Sequence, residues 1–434
     1  MRQFVGVGLA LAALALGSAP AGRPAAQTSP SKEVVIGFLY PLSGPTASAG
    51  RATSAGVDEK HIYELFADMV NGQEPMLPGA FYQRLKGLPG IPGGARLRLV
   101  FVDHRGKPDV AHGETVRLIT EEKVHALIGA WQSSVTATTS QVAERFGVPF
   151  LTAESASPGL TRRGFKWFFR TSPHDEHFSQ AMFDFLADFQ KKRNLRVETV
   201  AIAHEDTLCG ADSGRAQRAL AQKYGYRIVA DFAYRANSPS LTAEVHRLKA
   251  AKPDVWFPTS FPSDAILFNR TAKELDWSPK MILAQDGGYL DPKFIEQTGK
   301  DSDGSMTRSP FPSDLIDKNP VAKALNGSYR RRSGKDLYDF PALAVAGLVV
   351  LVDAINRAGS TAPEAIRVAL TKTDLNAADL PVPWAGVKFD ESGQNVGVRA
   401  IIMQLQGGKY WTVWPFEMAT RDVIFPIPTW SERK

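Results

Sequence analysis

Residues 126–156, ALIGAWQSSVTATTSQVAERFGVPFLTAESA, read as strand, hydroxyl-rich turn, helix and strand in immediate succession. The apolar run 124–129 is short and lacks alternation, as a strand buried on both faces requires. Residues 131–134 make the turn, the spacing predicts a helix over about 135–146, and 148–152 is a second buried strand. A further hydroxyl turn, Glu154-Ser155-Ala156-Ser157-Pro158, closes the unit. Two strands flanking one helix, each ending in a hydroxyl turn, are how an open parallel sheet presents a ligand crevice at its C-terminal edge. Ser133 and Ser134 stand where the helix N-cap belongs. Side-chain oxygens, free N–H groups and partial positive charge converge there and suit a carboxylate.

The same grammar extends outward. Glu33 to Leu39 is a continuous apolar strand ending in Pro41-Leu42-Ser43-Gly44-Pro45. Helical spacing follows over 51–70, then a Gly- and Pro-rich surface excursion over 71–94 with one short helical piece. Strand and helix alternate from residue 96 to about 297. Strands alternating with helices of ten to fifteen residues predict an α/β protein of doubly wound parallel sheets. Such units lie on both sides of Thr171, so two similar lobes are expected. Beyond Ser302 the pattern changes: helices over 340–357 and 362–370, then antiparallel strands over 387–390, 399–406 and 409–414.

At 434 residues the chain is long enough for two lobes and a leader. Its net charge of +6 is scattered in sequence, which gives no footprint for nucleic acid. A basic start, an apolar core over 4–16 and the small residues Ala19-Pro20-Ala21 predict a secretory signal peptide and leader over 1–26. A soluble, periplasmic mature protein is expected. The best later apolar run, 342–352, is too short to span a bilayer. The single cysteine, Cys209, excludes an internal disulfide.

The order of these motifs resembles the branched-chain amino acid and amide group of type I periplasmic binding proteins, the solute-binding components of ABC importers. The markers, from about residue 33 to 414, are Ile36-Gly37 with the S-G-P turn, Asp103 with Pro108, Ile128-Gly129 with Ser133-Ser134, and Ser155-Ala156-Ser157-Pro158. Phe169-Arg170-Thr171, Gln285-Asp286-Gly287 and Phe389-Asp390 with Gly393 continue the series. The resemblance implies a Venus-flytrap of two doubly wound α/β lobes joined by a three-strand hinge. Lobe I would hold 31–170 plus 291–380, and lobe II 171–290 plus 381–434. It further implies a small carboxylate-bearing ligand, an ABC permease in the inner membrane as partner, and a monomer without cofactor, metal or catalytic residues.

Carried over residue by residue, Ser133 and Ser155, with backbone N–H near Ser134 and Ala156, would hold the ligand carboxylate. Asp286 would face an ammonium group, Phe261 would form an aromatic wall, and Trp131 would enlarge the flat surface. Cys209 stands where the family offers a tyrosine, and Ala156, Ala47 and Ala49 replace larger or hydroxyl-bearing residues. These departures argue against a standard branched-chain ligand and leave room for something larger and flatter, with or without an amine. A ligand sensor feeding a signalling receptor is the alternative from another class, and docking surfaces carry no motif to separate the two. A hydrolase using Cys209 with His204 and Asp206 lacks a surrounding motif. His174-Asp175-Glu176-His177 has metal-like letters but sits where a helix begins.

Overall fold

The computed structural model describes residues 32–43 and 54–433. The expected leader, Gly44-Pro45, Ala47 and Ala49 lie outside the described residues. Within them, β1 (Lys32–Tyr40), β2 (Ala95–Asp103), β3 (Ala126–Gly129), β4 (Phe150–Thr152) and β5 (Phe168–Arg170) form a parallel sheet in the order β2-β1-β3-β4-β5. A second sheet contains β6 (Thr199–Glu205), β7 (Arg227–Tyr234), β8 (Val255–Thr259), β9 (Met281–Ala284) and β10 (Met306–Ser309). A hairpin, β11 (Asp374–Asn376) with β12 (Gly386–Lys388), stands apart. The antiparallel pair β13 (Ile401–Gln406) and β14 (Lys409–Trp414) then completes the second sheet, ordered β14-β13-β10-β9-β8-β6-β7.

The helices that cover these sheets are α1 (Ser54–Val70), α2 (Ala80–Gln83), α3 (Pro108–Thr120), α4 (Ser133–Phe146), α5 (Asp175–Arg193) and α6 (Leu208–Tyr224). They continue with α7 (Thr242–Ala251), α8 (Pro262–Glu274), α9 (Pro292–Thr298), α10 (Pro320–Ser333), α11 (Asp339–Ala358) and α12 (Pro363–Thr371). The fold is therefore the doubly wound α/β architecture expected. Each parallel sheet reverses strand order once, between β1 and β3 and between β6 and β8. Crevices outside the carboxyl ends of the strands open at those points.

Three elements extend or correct the reading of the sequence. The excursion over 71–94 runs mostly exposed with its short helix α2, but its side chains Leu77, Phe81, Tyr82, Leu85, Leu88 and Ile91 anchor it in the first core. Tyr82 donates to the Asp379 carbonyl and Gly90 N–H to Asn356 Oδ1, which ties the segment to α11 and its neighbourhood. The apolar run at 342–352 belongs to a longer helix, α11. It is long and apolar enough to cross a membrane, but 94% of its apolar window is buried inside this fold. Finally, β10 pairs with β9 and β13 in the second sheet, although the range 291–380 would place it with the first. A four-residue strand, Met-Thr-Arg-Ser, carries no apolar run to announce it.

The crossovers between the sheets are held by Arg170, which is 0% exposed. Its Nε donates to Gln394 Oε1 at 2.6 Å, Nη1 to the carbonyls of Ser155 and Ser157 at 3.2 and 2.6 Å, and Nη2 to Thr161 Oγ1 at 3.2 Å. One side chain thus fixes the second hydroxyl turn to the strand that returns at Gln394. Replacing it with methionine leaves the buried Ser155 carbonyl and Gln394 Oε1 without this donor and takes from the Ser157 carbonyl the shorter of its two bonds, the other coming from Leu160 N–H. Arg170→Met should cost about 3 kcal/mol or more, read as a shift of the urea midpoint. An unchanged midpoint would show that water replaces the guanidinium.

Candidate functional site

The carboxyl ends of both sheets meet around one cavity of about 40 Å³. From the first sheet come Trp131, Gln132, Ser133 and Ser134 after β3, and Glu154 and Ala156 after β4. From the second come Thr207 and Cys209 after β6, Phe261 after β8, Asp286 and Gly287 after β9, and Arg308 and Pro310 at β10. Ser172, Phe178, Leu290 and the start of α11 (Asp339, Phe340, Leu343) close it. The space holds roughly three waters, so a solute enters only if the two halves separate.

Seven of the eight anticipated positions line this cavity: Trp131, Ser133, Ser134, Ala156, Cys209, Phe261 and Asp286. The eighth, Ser155, does not. Its hydroxyl donates to the Trp131 carbonyl at 3.0 Å and accepts from Thr136 Oγ1 at 2.6 Å, while Thr136 accepts from Ala130 N–H at 2.9 Å. This chain of bonds locks the two hydroxyl turns together and leaves Ser155 no hydrogen for a ligand. Ser133 Oγ accepts from Ser157 N–H at 3.1 Å and keeps its own proton to give. The α4 N-terminus begins at Ser133, two residues earlier than the spacing predicted. Its N-cap, Gln132, makes no side-chain cap bond, so the first N–H groups stay open.

Asp286 has φ 71° and ψ 178°, a region that is essentially glycine-only. Gln285 fixes the strand end before it. Its amide accepts from Ser179 and Gln217 at 2.8 and 3.0 Å and donates to Asp175 Oδ1 at 3.0 Å. Gly287 follows against Phe340 and Trp131, where an added Cβ would meet Phe340 at 2.8 Å. Asp286 therefore projects into the cavity with Oδ2 unpartnered. Trp131, itself at φ 67°, lies 6.0 Å from Phe261 and meets Phe340 edge-on at 5.7 Å. Flat walls thus flank the polar groups.

Behind Asp286 lies a wall of buried acids. Burial, then the charge of Asp286, pushes Glu205 up to about 8, and burial raises Asp286 itself against the opposing pull of Arg308. Asp175 and Asp339 are both pushed by burial to about 7, and Glu154 to about 8. One potential ligand atom each from Glu205, Cys209 and Asp286 lies within 4.8 Å of the others, a geometry suited to a cation. A metal there would have to displace protons, since burial also holds the Cys209 thiol well above its ordinary value.

The nucleophile reading finds no base. Cys209 Sγ donates to Asp175, at 3.6 and 3.9 Å, with Glu205 and Asp286 as further acidic neighbours, while His204 Nδ1 bonds the Glu205 carbonyl and not the thiol. His174 and His177 stack at 3.7 Å and cap α5. Trp414 and Phe416 pack against the second core.

Residues 33–409 match a family model described as periplasmic binding protein. The chain belongs to that family. The Leu/Ile/Val-binding protein homolog 7 of Brucella abortus (strain 2308) is 27% identical over 434 residues, covering 97% of this chain and 98% of the relative. The branched-chain amino acid transporter substrate binding protein LivJ of Streptococcus pneumoniae, solved with isoleucine, superposes with TM-score 0.72 at 22% identity. It covers 87% of this chain and 98% of its own. A solute binding protein of an ABC transporter from Rhodopseudomonas palustris BisB5, solved with 3,4-dihydroxy benzoic acid, gives TM-score 0.72 at 17% identity, covering 91% and 98%. These structures share the fold, type I of the periplasmic binding proteins, and its members are binding proteins by name.

Sequence reasoning missed Arg308, Gln132, Ser172 and Glu205. Arg308 sits in the unannounced strand β10, and Ser172 follows the recognised Arg170-Thr171 pair. Glu205 directly precedes the Asp206 that drew attention. Gln132 carried the one available signal, a polar side chain at the predicted cap.

Proposed function

We propose that this is the periplasmic solute-binding component of an ABC importer. It captures a small carboxylate-bearing ligand between two lobes and presents the closed form to a permease in the inner membrane. The observation that carries the reading is the cavity itself. It is made by the carboxyl ends of both sheets, with the open α4 N-terminus on one side and the unpartnered Asp286 Oδ2 on the other. In this reading the N–H groups at Ser133 and Ser134 take the ligand carboxylate, Asp286 takes its ammonium group, and Trp131 and Phe261 sandwich its body. The proposed lobes are 31–170 with 291–380, and 171–290 with 381–434, with 306–309 moved to the second. The Ser157 hydroxyl bonded to Asp212 would then clasp them when closed. The names of the relatives and the isoleucine and dihydroxybenzoate in the neighbouring structures support the ligand class.

The test is a thermal-shift screen of mature protein refolded from denaturant, against aliphatic and aromatic amino acids, their amides, amine-free aromatic acids and small dicarboxylates. Ligand at a hundred times its Kd adds about 2.7 kcal/mol, a rise of roughly 5 °C. Amino acids should give that rise. A rise only with amine-free aromatic acids would remove Asp286 from its proposed role, and no rise with any carboxylate would sink the reading.

A further inference from the structure

A buried cation in this cavity has no bonding partner. Arg308 is 6% exposed, yet its side chain makes no hydrogen bond or ion pair among the described residues, and Nε is left without an acceptor. Its guanidinium carbon lies 3.7 Å from the centre of the Phe178 ring, and the residue lines the cavity. The surrounding carboxyls already have donors: Asp339 accepts from Ser309 Oγ, Asp175 from Gln285 Nε2, and Asp286 from Gly287 N–H. Asp175 and Asp339, held by burial near 7, are partly protonated at neutral pH. Asp286, whose carboxyl Arg308 pulls toward ionisation, is the group that receives the ligand's ammonium in the proposed site.

Buried charges in native folds are paired or hydrogen-bonded, and an uncompensated one marks a missing partner. Two further side chains beside the cavity repeat the pattern. Gln132, 7% exposed, has both amide atoms unpartnered, and Ser172, 1% exposed, has an unpartnered hydroxyl. A ligand with one carboxylate seated at the α4 N-terminus and its ammonium at Asp286 satisfies neither Arg308 nor its edge.

We propose that Arg308 is a second anion receptor, and that the preferred ligand is an amino acid carrying a carboxylate on its side chain. This rests on the reading of the cavity as an amino-acid site. The α-carboxylate goes to the open N–H groups of α4 beside Gln132, the α-ammonium to Asp286, and the distal carboxylate to the guanidinium edge. A carboxylate matches that planar fork with two parallel bonds, which a carboxamide cannot do. Removing the distal charge leaves Arg308 buried and unpaired, so the discrimination falls on the side chain of the ligand and not on its backbone.

The experiment is calorimetric titration of the refolded wild type with aspartate, glutamate and 2-aminoadipate, each beside its matched amide or an apolar isostere, with leucine and glutarate as controls. At least one of the three acids should bind tenfold or more tightly than its amide and more tightly than leucine. Arg308→Gln should reverse that preference. Wild-type binding of leucine or of the amides at equal or higher affinity overturns the second receptor and leaves amino-acid capture intact. Binding of glutarate as tight as glutamate, or of no amino acid at all, overturns the ammonium site and the inference with it. The wild-type comparison of acid with amide needs no variant, so it decides the matter even if Arg308→Gln fails to fold.

Discussion

Asp286→Gly should melt higher than the wild type without ligand, and bind an ammonium-bearing ligand about thirtyfold more weakly or worse. The two effects have separate causes. Asp286 occupies φ 71°, ψ 178°, where a Cβ costs about 1–3 kcal/mol and glycine costs nothing sterically. Against this gain stands the greater chain entropy that glycine loses on folding, about 0.5–1 kcal/mol. The substitution also removes a carboxyl whose charged form burial opposes. The binding loss is that of removing one partner from a desolvated charge pair, about 2–5 kcal/mol. Asp286→Asn separates the causes, since it keeps the strained backbone and loses the charge: it should lose affinity and gain only the part of the stability that comes from removing the desolvated carboxyl. Differential scanning calorimetry and titration calorimetry on the three proteins supply the readout. A glycine variant that melts lower refutes the strain argument, and one that binds as tightly as wild type removes Asp286 from the site.

What the sequence disclosed and what it hid divide along a physical line. β1 and the unit over 126–156 were legible because burial on both faces demands uninterrupted apolar runs, and those runs are local. Ser133 and Asp286 were legible because turns need particular residues at particular places. The conformation of Asp286 was not, since nothing in Gln285-Asp286-Gly287 announces a backbone imposed by Gln285's bonds to α5 and α6. Ser155 was misjudged for the same reason: whether a hydroxyl serves a ligand or a neighbour depends on Thr136, nineteen residues away in the chain. Arg308 was invisible because a short polar strand is indistinguishable from a loop until a sheet pairs it. The residues over 71–94 showed their exposure through composition but not their buried anchors. Glycine and proline mark irregular backbone, and irregular backbone is compatible with burial when its polar groups find partners such as Asn356.

Between pH 6.5 and 8 the unliganded protein should lose stability as pH rises, and the stabilisation given by an ammonium-bearing ligand should grow over the same window. Burial pushes Asp175 and Asp339 up to about 7 and Glu154 and Glu205 up to about 8. In the unfolded chain such carboxyls have lost their protons by about pH 4–4.5. Above that pH the folded state therefore holds more protons than the unfolded one, so raising the pH favours unfolding until the folded pKa is passed. Each carboxyl that stays protonated contributes a slope of up to about 1.4 kcal/mol per pH unit. Histidines oppose this at lower pH: burial holds His104 down to about 4 and His174 to about 2, so the unfolded chain binds their protons first. That opposition fades above about 6.5, where an unfolded histidine is neutral as well, and Arg170, held by burial at about 9, titrates beyond the window. Only the acids remain to set the sign. An ammonium group beside Asp286 and Glu205 favours their ionised forms, which offsets the loss and makes affinity rise with pH. Melting temperatures at pH 6.5, 7, 7.5 and 8, with and without ligand, measure both trends. The double variant Glu154→Gln, Glu205→Gln should flatten the unliganded profile; a wild-type profile already flat or rising would mean that these carboxyls are ionised in the folded protein and that the cavity is more hydrated than its packing implies.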